Sequence, residues 1–272
     1  MIRRRRFFVT ILILLLVLQS VSFVYYLREQ RVLAAYVGRV ADPGLPPSEQ
    51  VKALVLSLKD KSGDGNDGSF LLPVFRFLRP TPWQVLENGG DCGDRSRLLI
   101  ALLRPRGIHA SKWALYNAQG ESKHAVVQAD VESGDMVADP LFGIWFPKPQ
   151  GGYFGIRELR QDPSILTQRI GELRANGLRP GAARLEFYEF NDYIYSNART
   201  INWNKSSILK STYWVLHGIL GGRANEIGRP AFVEEPALMV IYGSAAFELA
   251  LLLAWVIMAR YRKRVVARIH PG

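Results

Sequence analysis

The chain contains one cysteine, Cys92, and four histidines. Cys92 follows Gly89-Gly90-Asp91 and precedes Leu98, Leu99, Leu102 and Leu103, a spacing that puts four leucines on one face of a helix. A thiol at a helix start lies where the backbone carries about half a positive charge and free N–H groups. Both favour the thiolate, which is the nucleophile. The same N–H groups can stabilise an oxyanion on an attacked carbonyl. Asp91 and Asp94 also suit a helix start, although their negative charge opposes a thiolate. His124 opens a run in which Ala125, Val127 and Ala129 alternate with Val126, Gln128 and Asp130, the period of a strand. A histidine there can take a proton from a thiol and return it to a leaving group. Asp139 follows in the next strand. If the turn centres on Glu132 and Ser133, Asp139 falls diagonally beside His124 on the same sheet face, about 7–8 Å away at Cα, and a contact becomes possible. Cys92, His124 and Asp139 are therefore candidates for one site, with Cys92 able to act as nucleophile and His124 able to move its proton.

The other candidates are fewer. His109, His217 and His270 have no comparable partner spacing. A single cysteine without an HExxH pattern argues against zinc, and no metal or other cofactor is expected. Asp60, Ser62 and Asp64 set oxygens at alternate positions before Gly65, like the first half of a calcium loop. Leu71 stands where the closing glutamate would be, so a plain turn is the reading there.

These residues are flanked by two apolar runs. Phe7 to Leu27 contains no charge, and Leu238 to Ala259 contains only Glu248. Each matches the ~20 residues that a helix needs to cross ~30 Å of hydrocarbon. The formal net charge of +11 comes largely from the ends. Arg3 to Arg6 precede the first run, and Arg260, Arg262, Lys263, Arg264 and Arg268 follow the second. A nucleic-acid binder would carry its excess charge on the folded domain instead, so no nucleic-acid partner is expected. The positive-inside rule predicts both termini in the cytoplasm and the middle of the chain on the other side, periplasmic in a Gram-negative cell. The first run is too long for a signal-peptide core and ends in Tyr25-Tyr26-Leu27-Arg28, an interfacial border, so it reads as an uncleaved anchor. Glu248, costly in lipid, is expected to face protein and to contact a membrane partner, with Gly243, Ser244 and Ala245 permitting close approach.

Between the runs, residues 28–47 read as a stalk ending in Asp42-Pro43-Gly44. Ser48 is placed to cap a helix carrying Val51, Leu54, Val55 and Leu58. Arg106-Gly107 ends the helix that begins at Cys92. Strands are predicted over 108–115, 124–131 and 136–139. A polar helix is predicted over 156–176 and an amphipathic one over 206–220. Helix first and antiparallel strands after is the order of an α+β domain.

The blocks GGDCGDRSRLLIALLRPRGIHA (89–110) and HAVVQADV (124–131), and Asp139-Pro140 after a short strand, resemble the transglutaminase-like superfamily, a branch of the papain-like fold. The likeness covers roughly residues 48–146. It implies a Cys-bearing helix packed on an antiparallel sheet, with Cys92 as nucleophile, His124 as base and acid, and Asp139 as the orienting group. Family members often carry an aromatic residue shortly after the histidine, where this chain has Val126. Gln84 is similar in placement to the papain-type oxyanion glutamine, and Trp83 beside it is the other oxyanion candidate.

The organisation read from the sequence is a basic tail (1–6), a first span (7–27), a stalk (28–47), the transglutaminase-like core (48–146), its extension and linker (147–237), a second span (238–259) and a second basic tail (260–272). The function read from it is a membrane-anchored thiol enzyme acting on protein or peptide-like amide carbonyls outside the cytoplasm. The rival from another class is a non-catalytic binding or assembly module of a cell-envelope complex.

Overall fold

In the computed structural model of the chain, the structure describes residues 2–59, 79–117, 119–177 and 194–269. They divide into two units, residues 30–230 and the paired segments 1–29 and 231–272. The Asp60, Ser62 and Asp64 loop lies outside the described residues.

The central strand of the larger unit, β2 (Ser122–Val131), explains its layering. Val126 and Val127 point to opposite faces, and both are buried. A strand covered on both sides needs two apolar layers. On one side Val127, Ala129 and Val131 meet α2 (Pro47–Lys59), α3 (Pro82–Asn88) and α4 (Cys92–Leu103) through Leu54, Leu58, Val85, Leu98 and Leu102. On the other, Val126 shares a cluster with Trp113, Phe142, Phe146, Ile156, Leu159, Ile170 and Leu173. Ile156 and Leu159 come from α5 (Ile156–Gln161), and Ile170 and Leu173 from α6 (Ser164–Ala175). The sheet is antiparallel in the order β4-β3-β2-β1-β5, with β1 at Ala110–Tyr116, β3 at Gly134–Asp139, β4 at Ile144–Trp145 and β5 at Ile194–Arg199. An α+β architecture with an antiparallel sheet is thus what the chain forms.

The hairpin register is the one the turn predicts. Val131 pairs with Gly134 and Val127 with Ala138. Gly134, directly after the turn over Glu132 and Ser133, has φ 103°, a conformation that residues other than glycine rarely adopt.

Elsewhere the structure corrects the sequence reading. The expected stalk is helical through Val40, as the end of α1 (Ile2–Val40). Leu33, Val37 and Ala41 recur at every fourth position and bury into the first cluster, so this segment is core rather than spacer. Arg106 closes that end by donating to the Ala41 carbonyl at 2.7 Å. Ser48 does not cap α2, which begins at Pro47. Its N–H and its hydroxyl both donate to the carboxylate of Glu132 in the hairpin turn. The single helix expected over 156–176 is two, broken at Asp162-Pro163, because the residue before a proline is disfavoured in the helical region. Strand β5 and the short β4 were not expected. The extension after residue 146 therefore contributes an edge strand and a covering layer to the same unit as the core.

Two helices are long and apolar enough to cross a membrane: α1 over Arg6–Val40, and α9 (Pro236–Ile269) over Pro236–Tyr261. The four-residue helix α8 (Ala231–Glu234) precedes α9. Phe8 and Trp255 stack with centroids 6.0 Å apart. Ser20 and Ser244 donate their hydroxyls to the carbonyls of Leu16 and Val240, so neither needs water.

Candidate active site

The thiol is placed by the turn before it. Gly89 has φ 78°, and a Cβ on Gly90 would stand 2.7 Å from the Cβ of Asp94. Only glycine lets the chain pass so close to the first turn of α4. Asp91 is the N-cap and accepts from the Asp94 N–H at 2.8 Å. Cys92 is thus the first residue of the helix, and it is partly exposed. Arg95 ties the turn to the rest of the layer, donating to the carbonyls of Gly90 (2.9 Å) and Leu58 (2.8 Å).

The base and its carboxylate come from neighbouring strands. Val127 pairs with Ala138, so Asp139 sits opposite Val126 and diagonal to His124. The side chains meet: His124 Nε2 and Asp139 Oδ2 are 2.6 Å apart, with the histidine 3% exposed and the aspartate 0%. Asp139 Oδ1 accepts from the N–H groups of Leu141 (2.9 Å) and Phe142 (3.1 Å), which fixes the carboxylate. The Phe142 ring lies 5.3 Å from the imidazole. Helix and strand are joined by Ser96, whose hydroxyl bonds the carbonyls of Cys92 (2.7 Å) and Ala125 (3.2 Å). The backbone of the thiol and the residue after the histidine are held by one buried group.

Two opposing effects set the charge on His124. Burial, the largest, disfavours the protonated ring. The Asp139 carboxylate and its hydrogen bond, together with a hydrogen bond to Cys92, outweigh that and hold the ring up at about 10. Asp139 occupies Nε2, so Nδ1 is the nitrogen left for the sulfur. The structure therefore brings Cys92, His124 and Asp139 together.

Charges that the sequence reading set against the thiolate are answered locally. Arg79 lies 3.1 Å from Asp91, and Arg97 lies 2.6 Å from Asp94. Burial would raise the Asp91 carboxyl, but the Asp94 N–H and Arg79 hold it below its ordinary value. Arg79 is held more firmly charged than usual: burial opposes this, and Asp91, Asp94 and the Cys92 sulfur overcome it. Arg79, Arg95, Ser96 and Phe142 were not singled out in the sequence. Only Ser96 carried a signal, its place one turn after Cys92.

The two oxyanion candidates lie on α3. The indole N–H of Trp83 donates to Glu87 at 2.6 Å. The carboxamide oxygen of Gln84 accepts from the Thr81 N–H at 2.9 Å, as half of the capping box of α3. Glu248, assigned to helix packing, is half-buried on α9, and its Oε1 is closed from solvent with no hydrogen-bond partner among the described residues.

Comparison of the chain with protein-family models, with curated proteins and with solved structures finds no match in any of the three.

Proposed function

We propose that the chain is a membrane-anchored thiol acyl-transfer enzyme, similar in plan to the transglutaminase-like superfamily, with Cys92, His124 and Asp139 as its catalytic centre. The observation that carries the reading is the buried His124–Asp139 pair at 2.6 Å, hydrogen-bonded onward to a partly exposed thiol on the first residue of a helix. A buried structural histidine would also seek a hydrogen-bond partner; what favours catalysis is that the second neighbour is a partly exposed thiol at a helix start.

The geometry supports the following sequence. The sulfur attacks an amide or peptide carbonyl carbon, with its proton held on His124. The Cys92 and Gly93 N–H groups, first in α4, are the donors available to the oxyanion, since those of Asp94 and Arg95 are taken by Asp91. The C–N bond breaks, the amine leaves with the proton from His124, and a thioester to Cys92 remains. Water or an amine then attacks that carbonyl, giving its proton to His124, and the thiol is regenerated. Water makes the protein a protease or amidase, and an amine makes it a transamidase. Two apolar helices with basic flanks support a membrane anchor for this centre, and the positive-inside rule favours the side outside the cytoplasm.

An activated acyl ester tests the reading on the full chain. Intact-mass measurement is expected to show one acyl group on Cys92, discharged on adding a primary amine or with time in water. An acyl-free Cys92 under those conditions would return the protein to the class of binding modules.

A further inference from the structure

Helix α7 (Ser207–Leu220) rests on its own unit through Leu209, Tyr213 and Leu216, with the Tyr213 and Trp203 rings 5.5 Å apart. None of its residues is fully buried. At 3.6 residues per turn, Ile208, Thr212, Val215 and Ile219 stand above one another on a different side. That side is open, with Ile208 at 78%, Val215 at 63% and Ile219 at 74% exposure. Its one polar member is satisfied internally: the Thr212 hydroxyl donates to the Ile208 carbonyl at 2.9 Å. The stripe therefore offers no side-chain hydrogen-bonding group that needs water. Lys210 and His217 lie on the opposite side of the helix, with Trp214 near them and clear of the stripe.

We infer that α7 lies along the surface of the bilayer that the two long helices enter, with Ile208, Val215 and Ile219 in contact with lipid. The inference rests on the membrane reading of those helices. Three further observations select lipid as the occupant. Only residues 221–235 separate α7 from α9, a tether of at most about 50 Å when fully extended. A bilayer is thus always within reach, whereas a second copy of the chain must be met by diffusion. From Ile194 to Asn225 the sequence carries Arg199, Lys205, Lys210 and Arg223 and no Asp or Glu, which suits an anionic headgroup layer. An apolar stripe with a polar side opposite it, here bearing Lys210, is the pattern of a helix lying in the interface.

The test uses the full chain with Cys92→Ser, reconstituted into vesicles of phosphatidylethanolamine and phosphatidylglycerol. Single cysteines at Ile208, Val215 or Ile219, with Ser211 and Val17 as references, are labelled with a nitroxide. Collision rates with oxygen and with a water-soluble nickel chelate are then measured. The oxygen-to-nickel ratio is expected to be several-fold higher at the three stripe positions than at Ser211, and to approach that at Val17. Stripe positions as open to nickel as Ser211, or shielded from both reagents as under a second protein, overturn the inference. Nickel access at Val17 as well would instead overturn the membrane reading on which it rests.

Discussion

At the scale of single residues, the site depends on which charge is placed against which. Asp139 spends one oxygen on two backbone N–H groups and the other on His124, so the carboxylate cannot turn away. The ring is held protonated well above its ordinary value of 6.5, up to about 10. A group with a raised folded value contributes stability that is complete below pH 6.5 and is lost as pH climbs through about 10. Asp139→Asn removes the principal source of that elevation. We predict that the melting temperature of the wild type falls from pH 6.5 to pH 10 more steeply than that of Asp139→Asn; parallel curves would show that the pair does not titrate as described. In acyl transfer, Asp139→Asn is expected to be milder than Cys92→Ala, because it orients the ring without bonding to substrate.

At the scale of elements, the hairpin and the turn before α4 carry the geometry. The hairpin was legible from its period and turn, which made a contact between Asp139 and His124 possible; the pairing of Val127 with Ala138 sets the register that puts them on a diagonal. The helix that begins at Cys92 was legible from its glycine turn and leucine face. Contacts made across long separations were not: Arg95 reaches Leu58, Ser96 reaches Ala125, and β5 joins β1 from far along the chain. Nothing local in Ile194–Arg199 announces a sheet edge, and nothing local in residues 28–40 separates a stalk from a core helix until Leu33 and Val37 find partners. Gly90→Ala tests the turn. The new Cβ would strike the Asp94 Cβ at 2.7 Å, so we expect a loss of about 1–3 kcal/mol, the usual cost of forcing extra volume into packed structure. Thermal melts that match the wild type would show that the turn has room to spare.

At the scale of the whole molecule, two apolar helices and their basic flanks give the proposed orientation. Reporters fused after Arg268 are expected to read cytoplasmic, and those inserted near Gly151 exported. Protease access to residues 90–150 from the cytoplasmic side would reverse that assignment. Glu248 belongs to the same scale. A carboxylate oxygen closed from solvent on a membrane helix is costly unless protein covers it. Co-purification of a membrane partner should survive Glu248→Gln in part and weaken in Glu248→Leu, with the larger unit unaffected. Equal recovery in both variants would leave the residue without that role.

The central claim is that sulfur, ring and carboxylate act as one unit, and the pH dependence of Cys92 alkylation tests it most directly. Cys92 is the only thiol in the chain, so iodoacetamide labelling of the intact protein reports on it alone. The account predicts that wild-type labelling persists well below the ~8.5 at which a free thiol ionises, that His124→Ala moves the profile upward, and that adding Asp139→Asn to His124→Ala changes little further. A wild-type profile that follows a free thiol and does not move in His124→Ala would contradict it.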